Sequence, residues 1–249
     1  MSPPREPHLF VDSHARPWSI AEPEADVLKT QIYSLKVPED AALCASLGVD
    51  FIGVATGERG RLKPEVSFAV CREIFAAIPP ESGSLKNALT VAWDVEEIVE
   101  TVEATRPDVI HLSGDIYKMS PEQVGELRRA ISPVKIMQAI PVGGPESLRL
   151  AFAYQAVSDI YILDTDVSNI VGIGATGAVH DWSISAEIAR RVHVPVILAG
   201  GLSAANVAEA IRIVKPWGVD SFTHTNIPGT KRKDPVSLAA FVQAAHAAL

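Results

Sequence analysis

Cysteine is scarce in this chain, with two among 249 residues, Cys44 and Cys71. Both fall on expected helices among apolar neighbours, which excludes a disulfide scaffold and fits two buried thiols in a reducing compartment. Positive charge is also in deficit. Lys and Arg number 22 against 30 Asp and Glu, a formal net charge of −8. That balance argues against broad nucleic-acid binding, which needs a basic surface. No apolar run approaches the ~18 residues that would span a membrane. The first residues lack the basic, then apolar, then small-residue order of a secretory signal. The expectation is a cytoplasmic protein with no membrane partner. Nothing in the pattern speaks to oligomeric state.

Hydrophobic residues, by contrast, make up 47% of the chain, enough for a large core. Residues 1–27 are rich in proline and charge without a period, and read as an N-terminal extension. From residue 28 to 249 short apolar runs alternate with amphipathic stretches. The expected strands are Lys29–Leu35, Phe51–Thr56, Ala88–Trp93, Val109–Leu112, Lys135–Ile140, Ile160–Leu163, Val196–Ala199 and Gly218–Phe222. Most are rich in Val, Ile or Leu, as strands buried on both faces should be. Helices are expected between them. Pro38-Glu39-Asp40 opens the first, and Lys63–Ala77 forms the second. Asp94 caps the third, Ser120-Pro121-Glu122 opens the fourth, and Pro145–Ala156 and Ser183–Val192 follow. Ser203 caps the seventh, and Asp234–Ala248 closes the chain. Eight strands alternating with eight helices specify an α/β fold, a single (β/α)8 TIM barrel. An open doubly wound sheet would usually carry a Gly-rich turn after its first strand. Here the first strand runs into Ser34-Leu35-Lys36, with no glycine.

Barrels of this kind carry their sites on the loops that follow the strands. Two of those loops suit an anion. Ala199-Gly200-Gly201-Leu202 follows strand seven, and Thr223 and His224 follow strand eight. Paired glycines let the backbone approach phosphate, and a helix N-terminus behind them favours negative charge. Gly200, Gly201, Thr223 and His224 are the expected phosphate-binding residues. A glycine-rich stretch, Gly172–Gly177, separates strand six from helix six. It reads as a lid over a substrate, with Gly174 and Thr176 in contact.

Several segments, in register and in order, now carry a resemblance. They are "IYSLKVPEDA", "VIHLSGD", "IYILDTDVSNIVGIGATGAVHDWS", "VILAGGLSAANVAEAIRIVKPWGVD" and "PGTKRKDP". Over about residues 29–248 the chain resembles the phosphoribosylanthranilate isomerase family of tryptophan biosynthesis. The resemblance implies an Amadori rearrangement of a phosphoribosyl amine, run without a cofactor by one general acid and one general base. Asp164 matches the acid that ends strand six, with Asp166 its competitor. The base departs from the family pattern, because Tyr33 stands where the family carries a cysteine. A phenol with an ordinary pKa near ~10 is a poor base at neutral pH unless a cation lowers it. Lys36 and Arg61 are the candidate helpers, and His111 is the next candidate base. Arg61 resembles the family's substrate-binding arginine after strand two. Ser113 and His111 replace the His and Gln of the fourth-strand motif, and His224 replaces a glycine of the phosphate stretch.

The leading expectation is therefore an isomerase of a phosphorylated sugar or aminosugar, with either the family's substrate or an altered one, binding a small phosphorylated molecule. Two alternatives stay open. One is a barrel epimerase, lyase or metal-assisted hydrolase on a related sugar, with His111, His224, Asp115 and Asp164 as metal ligands. The other is a non-catalytic phospho-ligand binder.

Overall fold

The computed structural model describes residues 28–62, 65–165 and 182–248. The expected N-terminal extension, the glycine stretch with Gly174 and Thr176, and Asp166 lie outside those residues. Eight parallel strands close into a barrel: β1 (Lys29–Ile32), β2 (Phe51–Ala55), β3 (Leu85–Thr90), β4 (Val109–Leu112), β5 (Lys135–Val142), β6 (Ile160–Thr165), β7 (Val196–Leu198) and β8 (Gly218–Ser221). The helices are α1 (Pro38–Ser46), α2 (Phe68–Ala76), α3 (Val95–Thr105), α4 (Pro121–Ile131), α5 (Glu146–Tyr154), α6 (Trp182–Arg191), α7 (Val207–Val214) and α8 (Pro235–His246). Closure comes from β1 on β8, with Gln31 opposite Asp220 and Ile32 opposite Ser221. The expected (β/α)8 barrel is the fold observed. None of the helices described is long and apolar enough to cross a membrane.

Strand alternation divides the apolar residues into two groups. Phe51, Val109, Met137, Ala139, Ile160, Ile162, Ile197 and Ala199 fill the lumen. A larger group, including Ile52, Val54, Ile110, Ile136, Tyr161 and Leu198, packs outward against the helices. Both faces of every strand are therefore buried, which is why the strands read as continuous apolar runs. The helix starts follow side-chain caps. Asp94 accepts from the Glu97 N–H, and Ser120 and Gln123 form a reciprocal capping box.

The rim at the strands' N-terminal ends is stitched by acids that precede the even strands. Asp50 accepts the Thr30 N–H at 2.8 Å, Asp108 the Lys86 N–H at 2.8 Å, and Asp159 the Ile136 N–H at 2.9 Å. Each acid ties the start of the preceding odd strand to its own, so three of the eight strand junctions carry the same staple.

Some boundaries differ from expectation. The first strand leaves the ladder at Ile32 rather than Leu35. The third is Leu85–Thr90 rather than Ala88–Trp93. Its polar start hides an inward Asn87, which hydrogen-bonds across the lumen to Gln31. Its end turns away where Thr90 Oγ1 accepts the Ala92 N–H. The second helix begins at Phe68, capped by Ser67. The seventh begins at Val207, so Ser203 is not its cap. Asn206 occupies that position and uses its side chain on the loop before it, accepting from the Ser203 N–H and donating to the Gly201 carbonyl.

Cys44 and Cys71 are fully buried, and burial pushes both thiols up to about 12. One packing constraint bears on the site. A Cβ at Gly53, on β2, would lie 2.3 Å from the ring of Tyr33. Gly53→Ala is therefore expected to destabilise the fold by about 1–3 kcal/mol through overpacking. In the Tyr33→Ala background the same change should cost much less. Urea unfolding of the four proteins in a double-mutant cycle measures this coupling. Additive effects would show that the two positions do not share that space.

Candidate active site

The barrel mouth holds a small open cleft lined by Asp164, Gly200, Gly201, Leu202, Asp220, Ser221, Phe222, Thr223 and His224. It brings together five residues singled out from sequence: Asp164 and all four of the expected phosphate group. Gly200 and Gly201 have φ of 90° and 66°. Both lie in the left-handed region, where an L side chain is strained, so glycine is required for this turn. Asn206 pins the turn through the Gly201 carbonyl, and Ser221 Oγ donates to the Leu202 carbonyl at 2.8 Å. These two contacts fix the β7 and β8 walls of the cleft against each other.

Two carboxyls share the cleft. Asp164 accepts the Thr165 N–H at 2.7 Å, yet burial pushes its pKa from 3.8 to about 7. Asp220 is 8% exposed and is pushed to about 8, first by burial and then by the charge of Asp164; Gln31 and Lys233 offset this only in part. Desolvation disfavours each carboxylate, and two in one cleft disfavour each other's ionisation. Asp220 was not among the residues expected from sequence. Its signal is the alternation of Gly218 and Asp220 toward the lumen, visible only once the phase of β8 is known.

A chain of polar side chains crosses the lumen beside this pair. Gln31 Nε2 donates to Asp220 Oδ1 at 3.1 Å, and Asn87 Nδ2 donates to Gln31 Oε1 at 2.9 Å. Tyr33 and His111 meet at 3.0 Å between the phenol oxygen and Nδ1. The Gln31–Asn87 and Tyr33–His111 contacts join non-neighbouring strands, so they can only run through the interior. Tyr33 is 5% exposed, and burial, with the charge of Asp220, raises its pKa well above 10. The helpers considered from sequence, Lys36 and Arg61, have environments of their own. Lys36 is itself lowered to about 8 by burial and by Lys231. Arg61 pairs with Glu97 at 2.8 Å and stacks on Trp93 at 4.5 Å, with Lys118 also over the Trp93 ring at 4.2 Å. Burial lowers His111 to about 3, so it stays neutral, and its Nε2 has no hydrogen-bond partner among the described residues. Tyr33 and His111 thus form an uncharged pair. Ser113 is buried at the end of β4, its N–H on the Thr90 carbonyl.

Lys233 binds the β1 end to the β8 loop. Its ammonium donates to the Tyr33 carbonyl and to Asn226 Oδ1 at 2.8 Å, and burial lowers its pKa to about 8. Its N–H and the side chain of Arg232 both reach Asp40 on α1. Among the described residues no three His, Cys, Asp or Glu side chains are grouped to hold a metal ion, so the metal set of His111, His224, Asp115 and Asp164 is not assembled.

A family model described as N-(5'-phosphoribosyl)anthranilate isomerase matches residues 53–244. The chain belongs to the phosphoribosylanthranilate isomerase family. It is 35% identical over 195 residues to N-(5'-phosphoribosyl)anthranilate isomerase 2 of Methanosarcina mazei, covering 78% of this chain and 84% of that one. It is 31% identical over 221 residues to the Halobacterium salinarum enzyme of the same family, covering 88% and 96%. Among solved structures it is similar to phosphoribosyl anthranilate isomerase from Thermococcus kodakaraensis, with a TM-score of 0.70, 28% identity, and 88% and 98% of the two chains covered. With the family comes the reaction class, isomerisation by acid and base.

Two predictions come from this geometry. Gly201→Asp places a strained, negatively charged residue in the turn. It is expected to abolish binding of ribose 5-phosphate measured by calorimetry, and an unchanged Kd would remove the phosphate from this cleft. The second concerns pH. Both carboxyls hold their protons more tightly folded than unfolded. Between the ordinary value of 3.8 and the folded values of about 7 and 8, the folded state therefore binds more protons, and stability falls as pH rises. Asp164→Asn and Asp220→Asn are expected to raise Tm in mildly alkaline buffer and to change it little in mildly acidic buffer. Equal shifts at both would mean that neither carboxyl is perturbed.

Proposed function

We propose that this protein rearranges a phosphorylated ribosyl amine to the corresponding aminoketose, with Asp164 as general acid and the phosphate on the loops after β7 and β8. The observation that carries the reading is the sharing of one cleft by Asp164 and the turn of Gly200 and Gly201, with Thr223 and His224 opposite. Ring opening needs a proton delivered to the ring oxygen. A carboxyl raised to about 7 holds its proton near neutral pH and can release it. The relatives' names support phosphoribosylanthranilate as the substrate and tryptophan biosynthesis as the setting. Tyr33 supports a slow version of that reaction. Its phenol is neutral, and its ring fills space over Gly53 beside the position from which the family's cysteine acts.

Asp164→Asn keeps the shape and removes the proton. It is expected to lower kcat by about 10²–10⁴-fold with KM largely kept. Near-normal turnover would transfer the acid role to Asp166. The unaltered protein is expected to show weak activity on phosphoribosylanthranilate in vitro and no rescue of a tryptophan auxotroph lacking this isomerase. Tyr33→Cys should raise that activity. Full rescue by the unaltered chain would overturn the slow-isomerase reading.

A further inference from the structure

We propose that Asp220 is the general base of this site, doing from β8 what the family's cysteine does from β1. The proposal rests on the isomerase reading above and names the second catalytic group it requires.

Three observations carry it. Position 33 cannot serve, because the phenol is closed in by Gly53 and held by His111. His111 is itself buried, with one ring nitrogen on Tyr33, and does not line the cleft. Asp220 does line it, together with Asp164 and the phosphate loops. It also stands on the correct side of the mouth. β8 pairs with β1, and Asp220 lies opposite Gln31, two residues before Tyr33. Asp164 approaches from β6, with β7 between the two, so a sugar lying across the cleft meets one carboxyl on each side. Asp220 is also oriented in advance. Gln31 donates to its Oδ1, and Asn87 fixes Gln31 in turn. Two carboxyls in one desolvated cleft keep one proton between them near neutral pH. The N–H that Gln31 donates to Oδ1 favours the carboxylate form of Asp220, the form a base needs.

The steps balance. The Asp164 proton passes to the ring oxygen, the C1–O bond breaks, and the nitrogen lone pair forms a C1=N iminium. Asp220 then takes the proton from C2. The C2–H electron pair forms C1=C2, and the iminium π pair returns to nitrogen. Ketonisation of the enol moves a proton onto C1 and releases one from the enol oxygen. The proton gained by Asp220 restores the one lost by Asp164, so no oxidant, reductant or metal is required.

The test uses the full chain with phosphoribosylanthranilate, ordinary and deuterated at C2. Asp220→Asn preserves size and the contact with Gln31. Its kcat is expected to fall by about 10²–10⁴-fold, with KM within a few-fold of the unaltered protein. The residual reaction should show a larger C2 isotope effect, because proton removal has become the slow step. Asp164→Asn should instead suppress the isotope effect toward unity, because ring opening becomes slow. Calorimetry with ribose 5-phosphate and a thermal melt show that each variant is folded and still binds. A misfolded Asp220→Asn is replaced by Asp220→Glu, which moves the carboxylate and should lower kcat with the same isotope signature. Turnover by Asp220→Asn within about tenfold of the unaltered protein, or an isotope effect that collapses in that variant, overturns the assignment and leaves the isomerase reading standing. No turnover by the unaltered protein overturns that reading, and this assignment with it.

Discussion

A closed eight-stranded parallel barrel admits only every second side chain of each strand to its lumen, and everything at this site depends on that rule. Inward phase selects Gln31 on β1, Asn87 on β3, His111 on β4, Asp164 on β6 and Asp220 on β8, and it places Tyr33 just beyond the end of β1. The lower lumen is apolar, with Phe51, Val109, Met137 and Ile160. The upper lumen is polar. A polar group cannot be left alone in such a space without cost, so Gln31 bonds to Asn87 and Asp220, and Tyr33 to His111. The network is thus a consequence of closure.

The same rule explains why exchanging cysteine for tyrosine changes more than one functional group. A side chain at position 33 that points inward must find room among residues from the other strands. The room is over Gly53, which has no Cβ to compete for it. Once the ring is there, the phenol reaches His111 and both become buried and neutral. The two raised carboxyls, Asp164 and Asp220, line the cleft on the other side of the mouth. On the proposed assignment, the acid–base capacity lies on β6 and β8 within a fold that is that of the family.

Much of the architecture was legible in the sequence because doubly buried parallel strands leave apolar runs and capped helices leave proline and acidic starts. β4, with Val109–Leu112, and α1, opened by Pro38, fall where those signals put them. β3 did not, because Lys86 and Asn87 look like a loop unless one knows that Asn87 has a partner on β1. The site was legible to the same extent. Gly200 and Gly201 announce a turn by their type, and Asp164 by ending an apolar run. Asp220 and Lys233 carry no local signal. One reaches the cleft through the phase of its strand, and the other reaches the mouth through a contact some 200 residues back along the chain, at the carbonyl of Tyr33.

The two ends of the barrel treat acids in opposite ways. At the N-terminal rim Asp50, Asp108 and Asp159 accept backbone N–H groups, and Asp50 and Asp159 also pair with Lys29 and Arg128, so their charge is compensated and holds strands together. At the C-terminal mouth Asp164 and Asp220 have little such compensation and are raised by burial. A raised carboxyl weakens the folded state wherever it must ionise, so nothing in the economy of stability favours two of them in one cleft. Sites that do acid–base chemistry are where such groups persist, because the desolvation that costs stability is what brings a carboxyl's pKa to the working pH. The barrel carries this cost at one end because the staples at the other end are independent of it.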